Sequence, residues 1–421
     1  MKRLKLVMIG NGMAGVRTLE ELLKITPDLY DITVFGAEPH PNYNRILLSP
    51  VLAGEQTFDD IVLNDLAWYA DHGIELRLGR KVLEIDRVRR QVIADDGSRA
   101  AYDRLLIATG SRPFMLPIPG NTLDGVIGYR DIADTRLMLD SATRHRRAVM
   151  IGGGLLGLEA AHGLKLRGMD VSVVHNGATL LERQLDERAG RLLQAALESR
   201  GLHFALGKQT SELIGNAAGR VSAVRFSDGE SLPADLVVMA AGIRPNIELA
   251  QRAGLPCARG ILVDDTLQSF DPRIYAVGEC VSHRGVAYGL VAPLFEQARV
   301  CASHLAMQGY RRYLGSLTST KLKVTGIELF SAGDFAGGPG TQRITLDDPT
   351  TGSYRKLVLK NDALVGACLY GDTADGAWYL QLIREGRNVA AIRDLLMFGE
   401  AAAASQAPTV PAEPLLLQGA A

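Results

Sequence analysis

The sequence predicts an α/β protein with two Rossmann-like domains followed by a smaller C-terminal α+β domain. One observation is that a GxGxxG motif occurs twice, each time between a strand-like apolar run and a helical pattern. A second observation is that short alternating strands replace this order after Tyr313. The 421 residues are enough for two or three domains of ordinary size.

The first motif has the complete strand–turn–helix–strand context. The apolar run Leu4–Ile9 leads into Gly10-Asn11-Gly12-Met13-Ala14-Gly15, and a helical pattern starts at Val16. A second apolar run, Asp31–Phe35, ends shortly before Glu38. This arrangement predicts a dinucleotide-binding turn rather than an incidental glycine-rich loop.

Each residue type in this turn has a physical task. Gly10 permits a tight turn, Gly12 lets the backbone approach a pyrophosphate, and Gly15 lets the helix pack on the strand. The helix N-terminus offers N–H groups to the phosphates. Glu38 is expected to accept hydrogen bonds from an adenosine ribose.

The same order of elements recurs 142 residues later. A strand at Ala148–Ile151 precedes the turn, a helix is expected at Leu158–Arg167, and the next strand is Val171–Val174. The candidate binding residues of this turn are Gly152, Gly154, Leu155, Leu156 and Gly157. Two such motifs, each in its full context, predict two dinucleotide sites where a single one would be weak.

Further strand ends return the chain to these sheets. Tyr102–Gly110 stops at Thr109 and Gly110, Asp235–Gly242 stops at Gly242, and Arg273–Cys280 ends in Gly278 and Glu279. A helix is expected at Ala292–Met307. Later strands are expected at Thr318–Phe330, Thr341–Leu346, Tyr354–Leu359 and Leu364–Tyr370, with helices at Ala374–Arg384 and Val389–Phe398.

These patterns suggest domain boundaries. We expect a first dinucleotide-binding domain at 1–112 and 238–312, a second inserted at 113–237, and an interface domain at 313–400. Residues 401–421 are rich in Ala and Pro with almost no charge, and predict a disordered tail. A short docking patch at Leu415–Leu417 is the alternative for part of it.

Composition excludes several classes of protein. The formal net charge is −1, which gives no support to nucleic-acid binding, and no apolar run approaches the length of a membrane helix. The N-terminus shows no signal-peptide pattern, so a cytoplasmic protein is expected. The cysteines lie too far apart in sequence for a redox dithiol or a local metal cluster, so no metal site is expected; they are Cys257, Cys280, Cys301 and Cys368.

Two dinucleotide sites indicate a flavoprotein. A single site would suggest a nicotinamide dehydrogenase, whereas two suggest that one cofactor stays bound while the other exchanges. FAD is the expected resident because it takes hydride from NADH or NADPH and releases electrons singly or in pairs. Two glycine-rich turns that bind nothing are the alternative.

Several segments resemble the FAD-dependent pyridine-nucleotide oxidoreductases of the two-Rossmann type, which include rubredoxin and ferredoxin reductases. The family-wide segments are GNGMAG, LLIATGSRP, GGGLLGLEAA, GIRPN and YAVGEC. Others resemble more narrowly the flavin-bearing N-terminal part of assimilatory NAD(P)H nitrite reductase and the electron-transfer subunit of assimilatory nitrate reductase. These are YNRILLSPVLAGE, LLERQLDERAGRLL, GLVAPLFEQA, TSTKLKVTGIELFSAGD and LVGACLYGDT.

The resemblance implies further FAD contacts. Arg45 would lie along the cofactor, where its charge offsets the phosphates, and Val82 would contact adenine through its backbone. Thr109 and Gly110 would close over the cofactor, and Glu279 would hydrogen-bond the ribitol, where most relatives have Asp. A surface arginine and a helix-start carboxylate are the plain alternatives for Arg45 and Glu279.

Two implied residues lie near the reacting rings. Lys323 matches a lysine near the flavin, where a cation would stabilise the reduced anion, and a solvated lysine is the alternative. Glu159 matches a glutamate near both the nicotinamide and the flavin, and we interpret it as a positioning residue.

The second site leaves the choice between NADH and NADPH open. His175 ends the strand where an NADH-selective site would carry Asp or Glu, and an ordinary polar histidine is the alternative. Arg183 is a candidate for a 2′-phosphate contact. Disulfide reductases and water-forming oxidases of the family place a reactive cysteine in the region of Leu47–Leu52, where this chain has none, so those activities are disfavoured.

The expected function is therefore transfer of hydride from NAD(P)H to FAD and of electrons to a redox partner protein. The partner is expected to be a nitrate or nitrite reductase module, since the four scattered cysteines cannot build the Fe–S modules of nitrite reductase. A rubredoxin- or ferredoxin-type reductase acting on a small iron protein is one alternative. A flavin-binding regulatory protein that senses NAD(H) is the other, and a homodimer is compatible with each of them.

Overall fold

The computed structural model describes residues 3–321 and 326–405, which form two compact units. The first unit contains the chain up to Leu181 together with Gln194–Thr318. The second contains Glu182–Leu193 together with the described residues from Ser319 onward. Part of the predicted second domain, Glu182–Leu193, is therefore grouped with the C-terminal residues.

The α-helices alternate with strands through most of the chain. They are α1 (Met13–Ile25), α2 (Leu48–Ala53), α3 (Leu66–Asp71), α4 (Ile132–Arg144), α5 (Leu155–Leu166), α6 (Glu187–Ser199), α7 (Glu248–Arg252), α8 (Val291–Leu305), α9 (Gly376–Glu385) and α10 (Glu400–Ala404). Two 3₁₀-helices cover Arg45–Leu47 and Ala390–Phe398.

The strands of the first unit begin with those before the second glycine motif. They are β1 (Leu4–Ile9), β2 (Tyr30–Gly36), β3 (Asn42–Tyr43), β4 (Val62–Asn64), β5 (Glu75–Leu78), β6 (Val82–Asp86), β7 (Gln91–Ala94), β8 (Arg99–Ala101), β9 (Arg104–Ile107), β10 (Ser111–Pro113) and β11 (Val126–Gly128). The later ones are β12 (Arg147–Ile151), β13 (Asp170–His175), β14 (His203–Leu206), β15 (Thr210–Gly215), β16 (Val221–Phe226), β17 (Ser231–Pro233), β18 (Leu236–Met239), β19 (Ile243–Pro245), β20 (Ile261–Val263), β21 (Ile274–Ala276) and β22 (Val281–His283).

Two parallel five-stranded sheets form the frame of the first unit. Their strand orders are β21-β9-β1-β2-β5 and β11-β18-β12-β13-β14, and every pairing in both is parallel. The strand before each glycine turn, β1 or β12, is the central strand of its sheet. The two parallel sheets confirm the predicted α/β class, because parallel strands buried on both faces are typical of doubly wound folds.

Each parallel sheet has a three-stranded antiparallel sheet at the corresponding place in its own part of the sequence. The first is β6-β7-β8 and the second is β15-β16-β17. The two connections between the domains, β10 and β19, pair antiparallel with Arg112 opposite Arg244. Strand β18 belongs to the second sheet, so the chain leaves that sheet after Met239 rather than at residue 238.

The second unit is built around an antiparallel sheet. Its strands are β23 (Ser319–Lys321), β24 (Leu329–Gly333), β25 (Gln342–Asp348), β26 (Ser353–Lys360) and β27 (Ala363–Tyr370), in the order β23-β24-β27-β26-β25. The segment grouped with it is held by Asp186, which accepts from Tyr354 Oη at 2.6 Å and from Lys356 Nζ at 3.1 Å. This antiparallel sheet with its helices fits the α+β domain expected from the alternating strands.

The structure corrects some predicted element bounds. Helices α1 and α5 begin at Met13 and Leu155, three residues before the predicted starts, because Gly12 and Gly154 act as their N-caps in extended conformation. The predicted helix at Val389–Phe398 is a 3₁₀-helix from Ala390. In the predicted tail, residues 401–404 are helical, as their alanines favour. Residues 406–421, with the docking patch proposed at Leu415–Leu417, lie outside the described residues.

A half-buried carboxyl group, that of Asp134, lies in the first turn of α4, in the predicted second domain. The N-cap Asp131 accepts a hydrogen bond from the backbone N–H of Asp134 at 2.9 Å. Burial, together with the negative charge of Asp131, raises the pKa of Asp134 from 3.8 to about 6. The folded state therefore binds more protons than the unfolded state between these values, so this group lowers stability as the pH rises through that window.

We expect Asp134→Asn to stabilise the protein more at pH 7.5 than at pH 4.5, since the amide carries no charge to desolvate. The difference in the free energy of unfolding should be about 1 kcal/mol, allowing for partial exposure of the group. Thermal unfolding at the two pH values measures it. Asp140→Asn on the exposed side of the same helix is the matched control and should show no such difference. An equal effect of Asp134→Asn at both pH values would contradict the prediction.

Candidate functional site

The first glycine turn is fixed by a carbonyl oxygen of the neighbouring strand end. Gly10 has φ +104°, and a Cβ at this position would lie 2.2 Å from Ala108 O. A Cβ on Gly15 would lie 2.9 Å from both the Cβ of Ala108 and the Sδ of Met8. Only glycine fits these two positions, because the turn and the first helix pack directly on the sheet.

The second turn repeats this arrangement. Gly152 has φ +129°, and a Cβ there would lie 2.4 Å from Ala240 O. A Cβ on Gly157 would lie 2.1 Å from Gly152 O. Ala108 and Ala240 each follow the strand paired with the central strand of their sheet, so the two turns have the same surroundings.

The middle glycine of each turn is different. Among the described residues, no atom beyond the chain neighbours and the adjoining helix backbone lies within 4 Å of a Cβ built on Gly12 or on Gly154. Both residues have negative φ, which any L-residue adopts, so packing within the protein does not require glycine at either position. Open space at a helix N-terminus, where backbone N–H groups lack helical partners, is what a pyrophosphate needs. The geometry therefore fits a dinucleotide at each turn.

Other predicted residues of the first turn have structural tasks. Met13 and Ala14 form the first turn of α1. Asn11 accepts from Tyr69 Oη at 2.7 Å through Oδ1, and so anchors the turn to α3. The carboxylate of Glu38 forms an ion pair with Arg45 and accepts from Tyr43 Oη at 2.7 Å. The structure therefore brings Glu38 and Arg45 together.

The acidic residue expected beside the ribitol is buried among polar groups. Glu279 is 8% exposed and accepts a hydrogen bond from Ser111 Oγ at 2.7 Å. It also forms an ion pair with Arg130. The preceding Gly278 has φ +92° and donates its N–H to Gln297 Oε1 at 2.9 Å, which ties this turn to α8.

Arg130 is a candidate site residue that the sequence reasoning missed. It follows β11 of the second domain, yet its guanidinium pairs with Glu279 of the first. Its Nε is buried and has no hydrogen-bond partner among the described residues. An unpaired buried donor leaves one hydrogen bond unmade, which an acceptor atom of a ligand would supply. The only sequence signal was an arginine directly before the helix-capping Asp131.

Thr109 and Gly110 hold the crossing between the domains. Thr109 Oγ1 donates to Asn246 O at 2.8 Å, and Asn246 Nδ2 donates to Thr109 O at 2.9 Å. Gly110 has φ +64°, and its carbonyl accepts from the N–H of Asn246. Gly242 has φ +116° and accepts through its carbonyl from the N–H of Phe114. These contacts fix the paired strands β10 and β19 at the strand ends.

The remaining predicted residues lie in β6, β13 and α5, except for Lys323. Val82 is buried at the start of β6 and pairs with Ala94. His175 ends β13, and its Nδ1 accepts from the N–H of Gly153 at 3.3 Å, so the imidazole lies against the second turn. Leu155 and Leu156 open α5. Lys323 lies outside the described residues, and its role near a flavin stays a prediction.

Glu159 is contacted by a residue of the first domain. Its Oε2 accepts a hydrogen bond from Ser49 Oγ at 3.0 Å, and Ser49 lies 3.3 Å from Tyr129 Oη. Burial raises the pKa of Tyr129, so this phenol stays protonated. Neither Ser49 nor Tyr129 was singled out from the sequence as a partner of Glu159.

Neither a metal site nor a membrane-spanning helix is found in the described residues. In residues 3–321 and 326–405, no group of three or more His, Cys, Asp or Glu side chains is placed to hold a metal ion. Across the same ranges, no helix has the length and apolar character needed to cross a bilayer.

Burial raises the pKa of Cys280 and Cys301, which disfavours their thiolates.

Comparison with known proteins agrees with this geometry. Residues 4–304 match the family described as pyridine nucleotide-disulphide oxidoreductase. Residues 319–387 match the rubredoxin NAD+ reductase C-terminal domain. A chain of the crystal structure of the covalent putidaredoxin reductase–putidaredoxin complex is similar, with a TM-score of 0.85 and 27% identity, covering 96% of this chain and 99% of that chain.

Two relatives from Bacillus subtilis (strain 168) are more similar in sequence. Nitrite reductase [NAD(P)H] is 51% identical over 389 residues, which is 92% of this chain and 48% of that protein. The assimilatory nitrate reductase electron transfer subunit is 48% identical over 389 residues, which is 92% of this chain and 50% of that protein. The chain thus spans about half the length of these relatives.

These matches confirm the resemblance seen in the sequence motifs. The family match includes both glycine turns, the crossing between the domains and Glu279. The chain therefore belongs to the pyridine nucleotide-disulphide oxidoreductase family.

Proposed function

We propose that this protein takes reducing equivalents from NADH or NADPH and passes electrons to a partner protein, an assimilatory nitrate or nitrite reductase module. The observation that carries the proposal is the pair of glycine turns of the same build, each open at its middle glycine. The names of the two Bacillus relatives supply the class of acceptor. The proposal places the reaction in the cytoplasm, where both nucleotides are regenerated.

The first site is assigned to FAD. The turn Gly10–Gly15 would hold the pyrophosphate, and Glu279 and Arg130 lie together where the first domain meets the second. The buried Nε of Arg130 is a cationic donor that a bound cofactor could satisfy. FAD, when bound, supplies an acceptor for two electrons from a reduced nicotinamide and can release them one at a time.

The second site is assigned to NADH or NADPH. The turn Gly152–Gly157 would hold the pyrophosphate, and His175 lies beside it. Glu159 lies one helical turn after the start of α5, and its carboxylate accepts a hydrogen bond from Ser49 of the predicted first domain. These residues bind and orient the nucleotide, and the protein needs no proton donor for this step. Holding the two partners in a productive orientation supplies most of the catalysis.

A second candidate acceptor is a small iron protein such as rubredoxin or a ferredoxin. It is favoured by the match of residues 319–387 to the rubredoxin NAD+ reductase C-terminal domain. The likeness to a putidaredoxin reductase solved together with putidaredoxin supports the same class of partner. The two candidates share the oxidation of NAD(P)H and differ only in the protein that receives the electrons.

The purified yellow protein should be bleached by NADH or NADPH under argon, because FAD then receives their electrons. Stopped-flow absorbance should next show the colour returning faster with a nitrate or nitrite reductase module than with rubredoxin or ferredoxin. Faster return with the small iron proteins would select the second candidate. A fully flavin-loaded sample that neither nucleotide bleaches would sink the proposal. Light scattering on the same preparation shows whether the active form is a homodimer.

The glycines of the second turn should separate binding from folding. Gly154→Ala should raise the KM for the nucleotide at least tenfold, because the methyl group enters the space assigned to the pyrophosphate. Its free energy of unfolding should change by only about 1 kcal/mol. Gly157→Ala should instead destabilise the protein by about 3 kcal/mol, because its Cβ would lie 2.1 Å from Gly152 O.

Steady-state kinetics and thermal unfolding of the two variants, which differ at positions three residues apart, provide the measurement. Gly154→Ala with an unchanged KM would show that this turn does not bind the nucleotide. Gly157→Ala with wild-type stability would contradict the prediction, because it would show that the turn accommodates the methyl group despite the close approach of Gly152 O.

A further inference from the structure

Helix α2 of the first domain packs along helix α5 of the second, and the contacts form a ladder. The contacting residues are Glu159 and Gly163 on α5 and its C-cap residue Arg167, spaced by four. Residues four apart lie on one face of a helix, so all three face the same neighbour. We call these three contacts the α2–α5 ladder.

The contacts of Arg167 and Gly163 hold the two helices close together. Arg167 Nε donates to Leu52 O at 2.7 Å, and its Nη2 donates to Val51 O at 3.1 Å. The guanidinium therefore binds two backbone carbonyls in the last turn of α2. At Gly163, a Cβ would lie 2.9 Å from Leu52 Cγ and 3.3 Å from the backbone N of Ala53. The absence of a side chain at Gly163 thus sets the approach of α2.

The upper contact is made by Ser49, which lies between two groups of the second domain. Its side chain is buried at 4% exposure, and Tyr129 is buried at 2%. A serine hydroxyl has one proton, so when Ser49 donates to the Glu159 carboxylate it must accept from Tyr129. The direction of the chain of hydrogen bonds therefore runs from Tyr129 through Ser49 to Glu159.

This series of hydrogen bonds ends at the carboxylate of Glu159, which lies one helical turn from the proposed nucleotide-binding turn. Ionised Glu159 is stabilised by a donor, and hydrogen bonds to charged groups are stronger than those between neutral groups. Ser49 itself is held by the ladder below it and by the phenol beside it. The carboxylate of Glu159 is accordingly tied to a frame that belongs to both domains.

We propose that Ser49 and Tyr129 are positioning residues for the nucleotide reaction, which hold the Glu159 carboxylate in one orientation as NADH or NADPH binds at the second turn. The inference rests on the proposed function, because it requires the nucleotide at that turn. Without Ser49 the carboxylate loses this donor, and its orientation beside the nucleotide site changes. The changed orientation weakens nucleotide binding more than it slows the bound complex.

Ser49→Ala in the flavin-loaded protein should raise the KM for the nucleotide five- to tenfold and change kcat less than twofold. The dissociation constant of NAD+, measured by calorimetry without turnover, should rise by the same factor. Tyr129→Phe should raise both two- to threefold, because Ser49 keeps its proton for Glu159 but loses its own donor. Ser49→Thr retains the hydroxyl and should stay within twofold of wild type.

A double-mutant cycle tests whether Ser49 acts through Glu159. In a Glu159→Ala background, Ser49→Ala should have no further effect on NAD+ binding. Ser303→Ala is the matched control, because Ser303 Oγ is buried in α8 and donates to Val300 O, away from Glu159. It should leave the dissociation constant of NAD+ unchanged.

The outcomes separate this inference from the proposed function. If the wild-type protein neither binds NAD+ nor is reduced by NADH or NADPH, the proposed function fails. If the wild type does both while Ser49→Ala and Tyr129→Phe equal it, the positioning role is overturned. An effect of Ser49→Ala that persists in the Glu159→Ala background overturns it as well. If Ser49→Ala does not fold, Tyr129→Phe decides: a two- to threefold rise in the KM and in the dissociation constant of NAD+ supports the positioning role, and wild-type values overturn it.

Discussion

Two carbonyl oxygens determine where the binding turns can form. Ala108 O and Ala240 O lie so close to Gly10 and Gly152 that a Cβ on either glycine would be within 2.4 Å of the oxygen. Because the turn passes over the end of the neighbouring strand, the following helix starts at once with its N-terminus beside the central strand. The free N–H groups and the open space at the middle glycine follow from that approach.

The contact between the two predicted dinucleotide-binding domains is the second constraint. Tyr129 and Arg130, adjacent in the second domain, reach Ser49 and Glu279 of the first. The α2–α5 ladder adds a contact that only Gly163 permits. These few polar groups set the position of one site against the other, which is what an oxidoreductase with two dinucleotides must control.

The sequence predicted the fold class and most strands because both are written in local patterns. Strand β1 matches the predicted Leu4–Ile9 at both ends, since its apolar run is bounded by a charged residue and a glycine. Helix starts were placed three residues late because a glycine that caps a helix looks like part of the loop. The predicted disordered tail was wrong at residues 401–404, where the alanine run favours a helix.

For the site, the sequence by itself determined the two glycine turns and the family, because each depends on residue types at fixed spacing along the chain. The contact of Glu279 with a ribitol, which the family resemblance implies, stays a prediction. Only the tertiary structure decided that Arg130 pairs with Glu279, that Glu38 pairs with Arg45, and that Ser49 holds Glu159. Ser49 and Glu159 are 110 residues apart in sequence, and no local pattern reports such a contact. It exists because a glycine on α5 lets a helix from the other domain approach, and that approach is a property of packing rather than of either segment alone.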